Sequence, residues 1–358
     1  LDGQYKNVKE MPPQVLDLFS GCGGLSLGLE QAGFDIVLGI DSWQDALDTF
    51  QQNHRDSQTF CKDLTSIDFN YIENQFLTSG VDVIVGGPPC QGFSISGKRD
   101  PNDPRNKLYT SFVDSVSYFK PQAFLMENVP NLASMQNGNI KDTIVSEFEA
   151  LGYTVRYARL LASDYGVPQN RRRFVMVGFR GETEFQFPDA THNENKITTK
   201  DAIHDLPESS VECGVAYNST PQNSYQQLMR SNSNAIFNHE ITKHTEKTTS
   251  IISLVPDGGN YKDLPQEYKN TRNVNIAWTR FNSKKPSLTI DTGHRHHFHY
   301  QYNRVPTVRE SARLQSFPDD FIFSGSKTSQ YKQVGNAVPP IMARYLGESL
   351  LRQLRLLS

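Results

Sequence analysis

A short apolar run that leads into a glycine-rich turn and a helical pattern is the feature that most restricts the fold of this chain. Val15–Phe19 is predicted to be a strand and Ser20–Gly24 the turn, after which apolar residues recur at helical spacing up to Gly33. This order of elements opens the nucleotide site of doubly wound α/β folds. The turn is not a dinucleotide fingerprint, because Ser26 stands where G-x-G-x-x-G requires its third glycine. The sequence therefore predicts an α/β fold with a doubly wound, Rossmann-like sheet.

Acidic residues follow the next two predicted strands. Asp41 comes directly after Ile36–Ile40, and an acid at that strand tip is suited to accept hydrogen bonds from both ribose hydroxyls. Asp63 is placed to accept from an adenine amino group, although a solvated loop carboxylate is nearly as good an interpretation. Together with the turn at 20–24, Asp41 favours an adenosine-bearing cofactor that is bound without a pyrophosphate.

A cysteine follows a buried strand in the middle of the chain. The apolar run Val81–Val85 is followed by Gly86-Gly-Pro-Pro and then by Cys90. This position is the carboxyl edge of the sheet, where open α/β folds present reactive groups. The alternative is a rigid turn with an incidental buried thiol. The polar segment Gln91–Lys107 beside Cys90 is a candidate lid.

Two more groups of charged residues border predicted strands. Glu127 follows Phe124–Met126, one strand away from Cys90, and is interpreted either as a site acid or as the cap of the next turn. Arg171–Arg173 precede the strand Phe174–Phe179. A run of charges is usually solvated, but arginines at a strand edge also suit anions and bases.

The composition is that of an ordinary globular protein. Of 358 residues 37% are hydrophobic, mean hydropathy is -0.55 and the formal net charge is -3. No apolar run approaches the roughly 18 residues of a membrane span, and no signal peptide is visible, so we expect a cytoplasmic protein without membrane contact. The four cysteines are Cys22, Cys61, Cys90 and Cys213. They form no CxxC pair, which argues against a disulfide framework or a zinc site.

From Arg180 to Tyr302 the chain becomes polar and loses helical periodicity. Residues 272–313 nevertheless contain eight basic residues against two acidic ones, a net charge of +6, with aromatic residues interleaved. This pattern predicts a surface for phosphates and bases, with three arginines as candidate base readers: Arg280, Arg295 and Arg304. The histidines at 294–299 are an alternative metal site, which we disfavour because no cysteine partner or HExxH helix accompanies them.

Six blocks of this sequence, in the same order, resemble those of the DNA cytosine-5 methyltransferases, above all the bacterial restriction-modification enzymes. The resemblance implies S-adenosylmethionine as methyl donor, a methyltransferase domain at 15–180, a smaller and irregular target-recognition domain at 181–325, and a segment at 326–358 that returns to the first domain. Residues 1–14 are expected to be disordered or not native. The blocks are Asp17–Gly24, Gly87–Ser94, Glu127–Val129, Gln169–Arg173, Thr307–Asp319 and Gln333–Pro339.

The resemblance also implies roles for single residues. Phe19 would stack on adenine, Asp41 would hold the ribose, and Asp63 the adenine amino group. Two departures affect this pocket: the ribose acid is more often Glu, and Ser42 replaces a large residue, with Trp43 one place later. Further cofactor contacts are expected at Gly21, Gly23, Gly24, Ser42, Leu64, Pro89, Asn336 and Ala337, and DNA contacts at Gln91 and Ser94.

The residues also fit the chemistry of C5 methylation. Cytosine C5 becomes enamine-like when a thiolate adds to C6 and an acid assists N3, so we expect Cys90 to be the nucleophile and Glu127 the partner of N3. Arg171 and Arg173 would stabilise the adduct and cytosine O2. Cationic neighbours are needed because a free thiol with a pKa of about 8.5 is only slightly ionised at neutral pH. The base must leave the duplex to reach Cys90.

Three rival functions share part of this pattern. Methylation of C5 in tRNA is the alternative within the same class, and the length of 180–302 favours DNA. Amino-methylating enzymes are disfavoured because Gly87-Pro-Pro-Cys90 replaces their Asp/Asn-Pro-Pro-aromatic tetrad. A silent DNA-binding module is disfavoured because all four candidate catalytic residues are present. We therefore expect a monomer that acts on a short site in double-stranded DNA; a cognate restriction endonuclease would share that site without needing to bind the protein.

Overall fold

The computed structural model describes residues 11–89, 107–269, 278–293 and 296–357. Several sequence-predicted residues lie outside these ranges: Cys90, Gln91, Ser94 and Arg295. Nearly all of the candidate lid and most of 1–14 also lie outside them. The roles predicted for these residues stay predictions.

In the described residues, seven strands form one sheet in the order β3-β2-β1-β4-β5-β7-β6. The first five strands in this order are parallel to one another, whereas β7 runs antiparallel to both β5 and β6. The five predicted strands whose ranges are given above are all present, and the doubly wound α/β class is confirmed. The strands are β1 Gln14–Leu18, β2 Asp35–Asp41, β3 Gln58–Cys61, β4 Val83–Gly86, β5 Ala123–Asn128, β6 Tyr153–Leu161 and β7 Arg172–Arg180.

Helices cover both faces of this sheet. Side chains alternate along each central strand, so that Val83 and Val85 enter one hydrophobic core and Ile84 enters the other. Continuous apolar runs are typical of strands buried on both faces. The helices in this half of the chain are α1 Gly24–Ala32, α2 Gln44–Asn53, α3 Phe69–Phe76, α4 Lys107–Phe119 and α5 Asn139–Ala150.

Residues 181–325 contain short elements and a small core of their own around Ile251, Ile252 and Phe298. Phe317 and Phe321, however, belong to the large core that also contains α1 residues, so the predicted boundary at 325 is not a boundary between cores. A separate recognition domain stays a proposal. The elements are α6 Thr199–Ile203, β8 Val215–Ala216, α7 Ser224–Met229, β9 Ala235–Ile236, α8 Glu246–Ser253, α9 Gln266–Lys269, β10 Thr279–Arg280, β11 His297–Phe298 and α10 Val308–Leu314.

The last two helices are α11 Lys327–Asn336 and α12 Pro340–Arg355, and α12 packs against α1. Glycines allow this close approach. A Cβ on Gly28 would lie 2.4 Å from the Ala343 Cβ and 2.5 Å from the Pro340 carbonyl oxygen, closer than packed atoms come. Gly347 of α12 makes a similar approach to Ala32, where a Cβ would lie 2.8 Å from that residue's Cβ.

Strand β1 contains a buried carboxyl group, Asp17. Its side chain accepts a hydrogen bond of 2.6 Å from the Ser26 hydroxyl of α1. Burial and the nearby charge of Asp41 raise the pKa of Asp17 to about 7, although the Ser26 hydrogen bond acts in the opposite direction. The folded protein therefore retains a proton at Asp17 over a pH range in which an ordinary aspartate has lost it.

Replacing Gly28 with alanine should separate α1 from α12. Alanine is the better helix former by about 1 kcal/mol, but overpacking a core typically costs about 1–3 kcal/mol, and here backbone atoms would have to move. We expect Gly28→Ala to lower the free energy of unfolding by about 1–2 kcal/mol in urea denaturation. Gln31→Ala, at an exposed position of the same helix, is the control, and equal stability of Gly28→Ala and wild type would contradict this packing argument.

Asp17 should make stability depend on pH. The unfolded chain loses the Asp17 proton at about pH 3.9 and the folded protein at about pH 7, so the cost of burying this group grows as pH rises through that window and is complete above it. Asp17→Asn removes the titration and keeps an acceptor for Ser26. Its free energy of unfolding relative to wild type should rise by roughly 2–3 kcal/mol between about pH 5 and pH 8. The exposed Asp35→Asn controls for lost charge; a difference that is constant with pH would refute the prediction.

Candidate active site

The turn after β1 has an inner and an outer side. Phe19, Gly21 and Gly23 all have left-handed backbone conformations, with φ of 57°, 54° and 92°. A Cβ on Gly23 would lie 2.2 Å from the Nε2 atom of His54, whereas a Cβ on Gly21 would meet no atom within 4 Å. Gly23 therefore faces the packed interior, and the side of the turn at Gly21 is open to a ligand.

Asp41 connects this turn to the tip of β2. Its carboxylate accepts hydrogen bonds of 2.9 Å from the backbone N–H groups of Gly21 and Trp43. Burial raises the pKa of Asp41, and these N–H groups oppose the increase. Each carboxylate oxygen has two lone pairs, so the group keeps acceptor capacity for a ligand. Ser42 is exposed, and the Lys332 ammonium lies 4.5 Å from the centre of the Trp43 ring.

Asp63 has a structural role of its own. It caps the short 3-10 turn that starts at Leu64, accepting from the N–H of Thr65 at 2.9 Å and from its hydroxyl at 2.8 Å. These hydrogen bonds lower the pKa of Asp63. The side chain is exposed and Leu64 is buried, so both interpretations of Asp63 from the sequence stay open.

The end of β4 is fixed on two sides. A Cβ on Gly86 would lie 2.1 Å from the Leu18 carbonyl oxygen, so only glycine fits beside β1. On the other side, the Asn128 amide donates 2.8 Å to the Pro88 carbonyl oxygen. Pro88 is buried and Pro89 is exposed. The chain therefore reaches the surface at Pro89, directly before Cys90. Asn128 was not among the residues predicted for the site, although it follows Glu127 in a recognised block.

Glu127 and Arg173 meet beside this exit. The Arg173 Nε lies 2.5 Å from a Glu127 carboxylate oxygen, and both side chains are largely buried. A Cβ on Gly87 would lie 3.1 Å from the other Glu127 oxygen. The structure thus brings together two predicted catalytic residues and a backbone position three residues before Cys90.

Arg171 faces the interior instead. It is 1% exposed, and its guanidinium donates to carbonyl oxygens of three residues, at 2.7 Å to Gly335 and 3.3 Å to both Ile290 and Ala337. Burial, followed by the neighbouring Arg173, lowers the pKa of Arg171. The side chain joins the position just before β7 to the segment at 335–337, in which Asn336 is exposed and Ala337 half-buried.

Two of the predicted base readers are buried, which contradicts their assignment. Arg280 donates to the carbonyl oxygens of Val255, Ile252, His299 and Tyr302 and to the Asn303 side chain. Arg304 makes two hydrogen bonds of 2.8 Å to the Glu310 carboxylate. Side chains whose donors are satisfied internally are not available to bases. These arginines stabilise the interior of 181–325.

The cysteines in the described part of the chain differ in exposure. Cys22 is buried, and burial raises the pKa of its thiol to about 12, so it is unsuited to nucleophilic attack. Cys61 and Cys213 are exposed free thiols.

Within the described ranges no three metal-ligating side chains come together. No helix in that part of the chain is long and apolar enough to cross a membrane.

Comparison with solved structures supports the fold. A structure described as a prophage-encoded DNA modification methyltransferase from E. coli matches with a TM-score of 0.80 and 28% identity, covering 96% of this chain and 99% of that one. The S. pombe Dnmt2 methyltransferase matches with a TM-score of 0.61 and 18% identity, over 96% of this chain and 99% of that one. At that lower identity, the second match shows a shared fold alone.

Comparison with known sequences shows the family. Type II methyltransferase M1.HphI of Haemophilus parahaemolyticus is 38% identical over 340 residues, which are 94% of this chain and 86% of that protein. Type II methyltransferase M.DdeI of Desulfomicrobium norvegicum is 36% identical over 368 residues, covering 94% and 88%. The family model for C-5 cytosine-specific DNA methylases matches residues 13–352. The chain therefore belongs to this family and is a DNA cytosine-5 methyltransferase of the restriction-modification type.

Proposed function

We propose that the protein methylates C5 of a flipped-out cytosine in a short, specific site of duplex DNA, through a covalent bond between Cys90 and C6. The observation that carries this mechanism is the Glu127–Arg173 pair beside the chain that leads to Cys90. The two similar proteins named Type II methyltransferases support a protective role in a restriction-modification system. The protein would act on DNA as a monomer.

The turn at 19–24 suits the adenosine part of S-adenosylmethionine, which supplies an electrophilic methyl group when bound. Ser20 Oγ is buried and has no hydrogen-bond partner among the described residues. Gly21 leaves open space, and Asp41 keeps acceptor capacity for ribose hydroxyls. Phe19 is half-buried and would stack on adenine. The carbonyl groups of Gly335 and Ala337, held by Arg171, would fix Asn336 near the methionine end.

The reaction would begin with addition of the Cys90 thiolate to cytosine C6. The guanidinium of Arg173 favours negative charge beside the site, which suits the anionic adduct and cytosine O2. Glu127 would donate a hydrogen bond or a proton to cytosine N3, and Arg173 would fix the orientation of the Glu127 side chain. C5 then gains enough electron density to accept the methyl group. Loss of the C5 proton and release of the thiolate would restore the aromatic ring.

DNA recognition would come from residues at the edge of this site. Gln91 and Ser94 follow Cys90 in the sequence. Arg295 lies in the segment that follows Ile290, the residue whose carbonyl oxygen accepts from Arg171. Arginine forms bidentate hydrogen bonds with guanine that discriminate bases. With Arg280 and Arg304 buried, Arg295 is the arginine of the three that stays a proposed base reader.

Replacing the nucleophile should separate chemistry from cofactor binding. We expect Cys90→Ser to abolish turnover while the dissociation constant for S-adenosylmethionine stays near the wild-type value, because Cys90 is proposed to attack the base and not to hold the cofactor. Labelled methyl transfer and calorimetry would measure the two properties. Wild-type enzyme should also form a covalent complex with DNA that contains 5-fluorocytosine, which has no C5 proton to lose. The exposed Cys213→Ser is the control; an active Cys90→Ser enzyme would refute the mechanism.

Replacing the proposed ribose acid should weaken cofactor binding. Asp41→Asn keeps the shape of the side chain but removes its charge, so we expect S-adenosylmethionine to bind more weakly by about 1–3 kcal/mol, the range for hydrogen bonds to charged groups. Calorimetry without DNA would measure this change. Asp48→Asn, on the exposed side of α2, provides the comparison. A dissociation constant equal to that of wild type would mean that the ribose is held elsewhere.

A further inference from the structure

The arginines of residues 153–180 differ in what they contact. This stretch contains six arginines and a single acidic residue, Asp164, which pairs with Lys196. Four of the arginines have partners in the protein: Arg156 pairs with Glu184, Arg173 with Glu127, and Arg171 and Arg180 donate to carbonyl oxygens. The other two, Arg159 and Arg172, are exposed and have no ion-pair or hydrogen-bond partner for their side chains within the described ranges.

These two arginines lie on the same face of the sheet. In the antiparallel pair β6–β7, Arg159 lies opposite Phe174 and Leu161 lies opposite Arg172. Side chains alternate between faces, so Arg159 and Arg172 are diagonal neighbours, about 7–8 Å apart at their Cα atoms in a regular antiparallel pair. The Tyr157 ring, 5.7 Å from that of Phe174, belongs to the same face. We call Tyr157, Arg159 and Arg172 the β6–β7 basic patch.

The tyrosine of this patch is held in place with its ring partly exposed. Tyr157 is 44% exposed. The Lys141 ammonium lies 2.9 Å from its hydroxyl and 4.6 Å from the centre of its ring. Lys141 is itself paired with Asp142, so the uncompensated charge of the patch comes from the two arginines.

The patch begins where the candidate active site ends. Arg172 stands between Arg171 and Arg173, but its side chain points to the opposite face of β7, because neighbouring strand residues alternate. From there the patch continues across β6, which is an edge strand of the sheet. Asn128, Phe174 and Arg159 lie side by side in register across β5, β7 and β6, so the patch lies at the same edge of the sheet as Glu127 and Arg173. A duplex bound along that edge would reach both.

We propose that the β6–β7 basic patch binds backbone phosphates of the duplex on one side of the target cytosine. This inference rests on the proposed function. Guanidinium groups without a counter-charge match phosphates in charge and in geometry, and a phenol hydroxyl is a further phosphate donor. Phosphate contacts position a duplex without reading its sequence. The patch would thus add affinity and register, and would leave the methylated sequence unchanged.

The test compares three glutamine variants of the full chain. Arg159→Gln and Arg172→Gln each remove one charge from the patch, and Arg156→Gln removes one from the same strand on the opposite face. Their affinity for a duplex of about 40 base pairs containing the wild-type methylation site would be followed by fluorescence anisotropy at several salt concentrations, with S-adenosylhomocysteine present. Each patch variant should lower the slope of log affinity against log salt by about 0.9. Arg156→Gln should leave that slope unchanged.

Kinetics and conservative variants complete the design. The KM for DNA should rise roughly three- to tenfold in the patch variants, with kcat and the methylated sequence unchanged. Arg159→Lys and Arg172→Lys keep the charge and should keep the salt slope, which excludes a misfolding effect. The inference is overturned if both glutamine variants match wild type, or if Arg156→Gln changes the slope as much as they do. A wild-type protein that methylates no DNA would instead refute the proposed function.

Discussion

The buried guanidinium of Arg171 is the contact on which the site depends. It joins the start of β7 to Ile290 and to the backbone on both sides of Asn336. Each of these segments contains or precedes a residue with a proposed role: Arg173 in catalysis, Arg295 in DNA contact and Asn336 in cofactor binding. A charged group this deeply buried is tolerated only when carbonyl dipoles surround it. Three segments distant in sequence are therefore fixed relative to each other by one side chain.

A second set of buried charges holds the block 307–319 in the interior. Arg313 makes hydrogen bonds to the carboxylates of Asp205 and Asp319, and Glu310, whose pKa is lowered to about 2 in an environment that includes His299 and Arg304, accepts from Arg304. Removing one partner of such a pair typically costs about 3–5 kcal/mol, because the other charge stays buried. The residues of this recognised block thus maintain the fold around the site.

The sequence predicted the sheet because its strands are continuous apolar runs, and it predicted which residues follow them. The antiparallel direction of β7 was not predictable, since strand direction depends on contacts distant in sequence. Arg280 and Arg304 were assigned wrongly because basic and aromatic residues also form interior networks. An arginine of an interior network differs from a DNA-binding arginine in the number of protein acceptors within reach, such as the carbonyl groups around Arg280. This number follows only from the fold.

Burial and neighbouring charge also distinguish the positions of Cys22 and Cys90. Cys22 comes after β1 and Cys90 after β4, so position at the carboxyl edge does not distinguish them. Cys22 turns inward, where its thiol lies 3.7 Å from the Gln333 carbonyl oxygen and burial raises its pKa to about 12. After β4 the chain turns outward at Pro89, with Asn128 holding Pro88 and with Glu127 and Arg173 alongside. Because a thiolate needs a cationic neighbour and access to its substrate, these contacts favour the second of these positions for the proposed nucleophile.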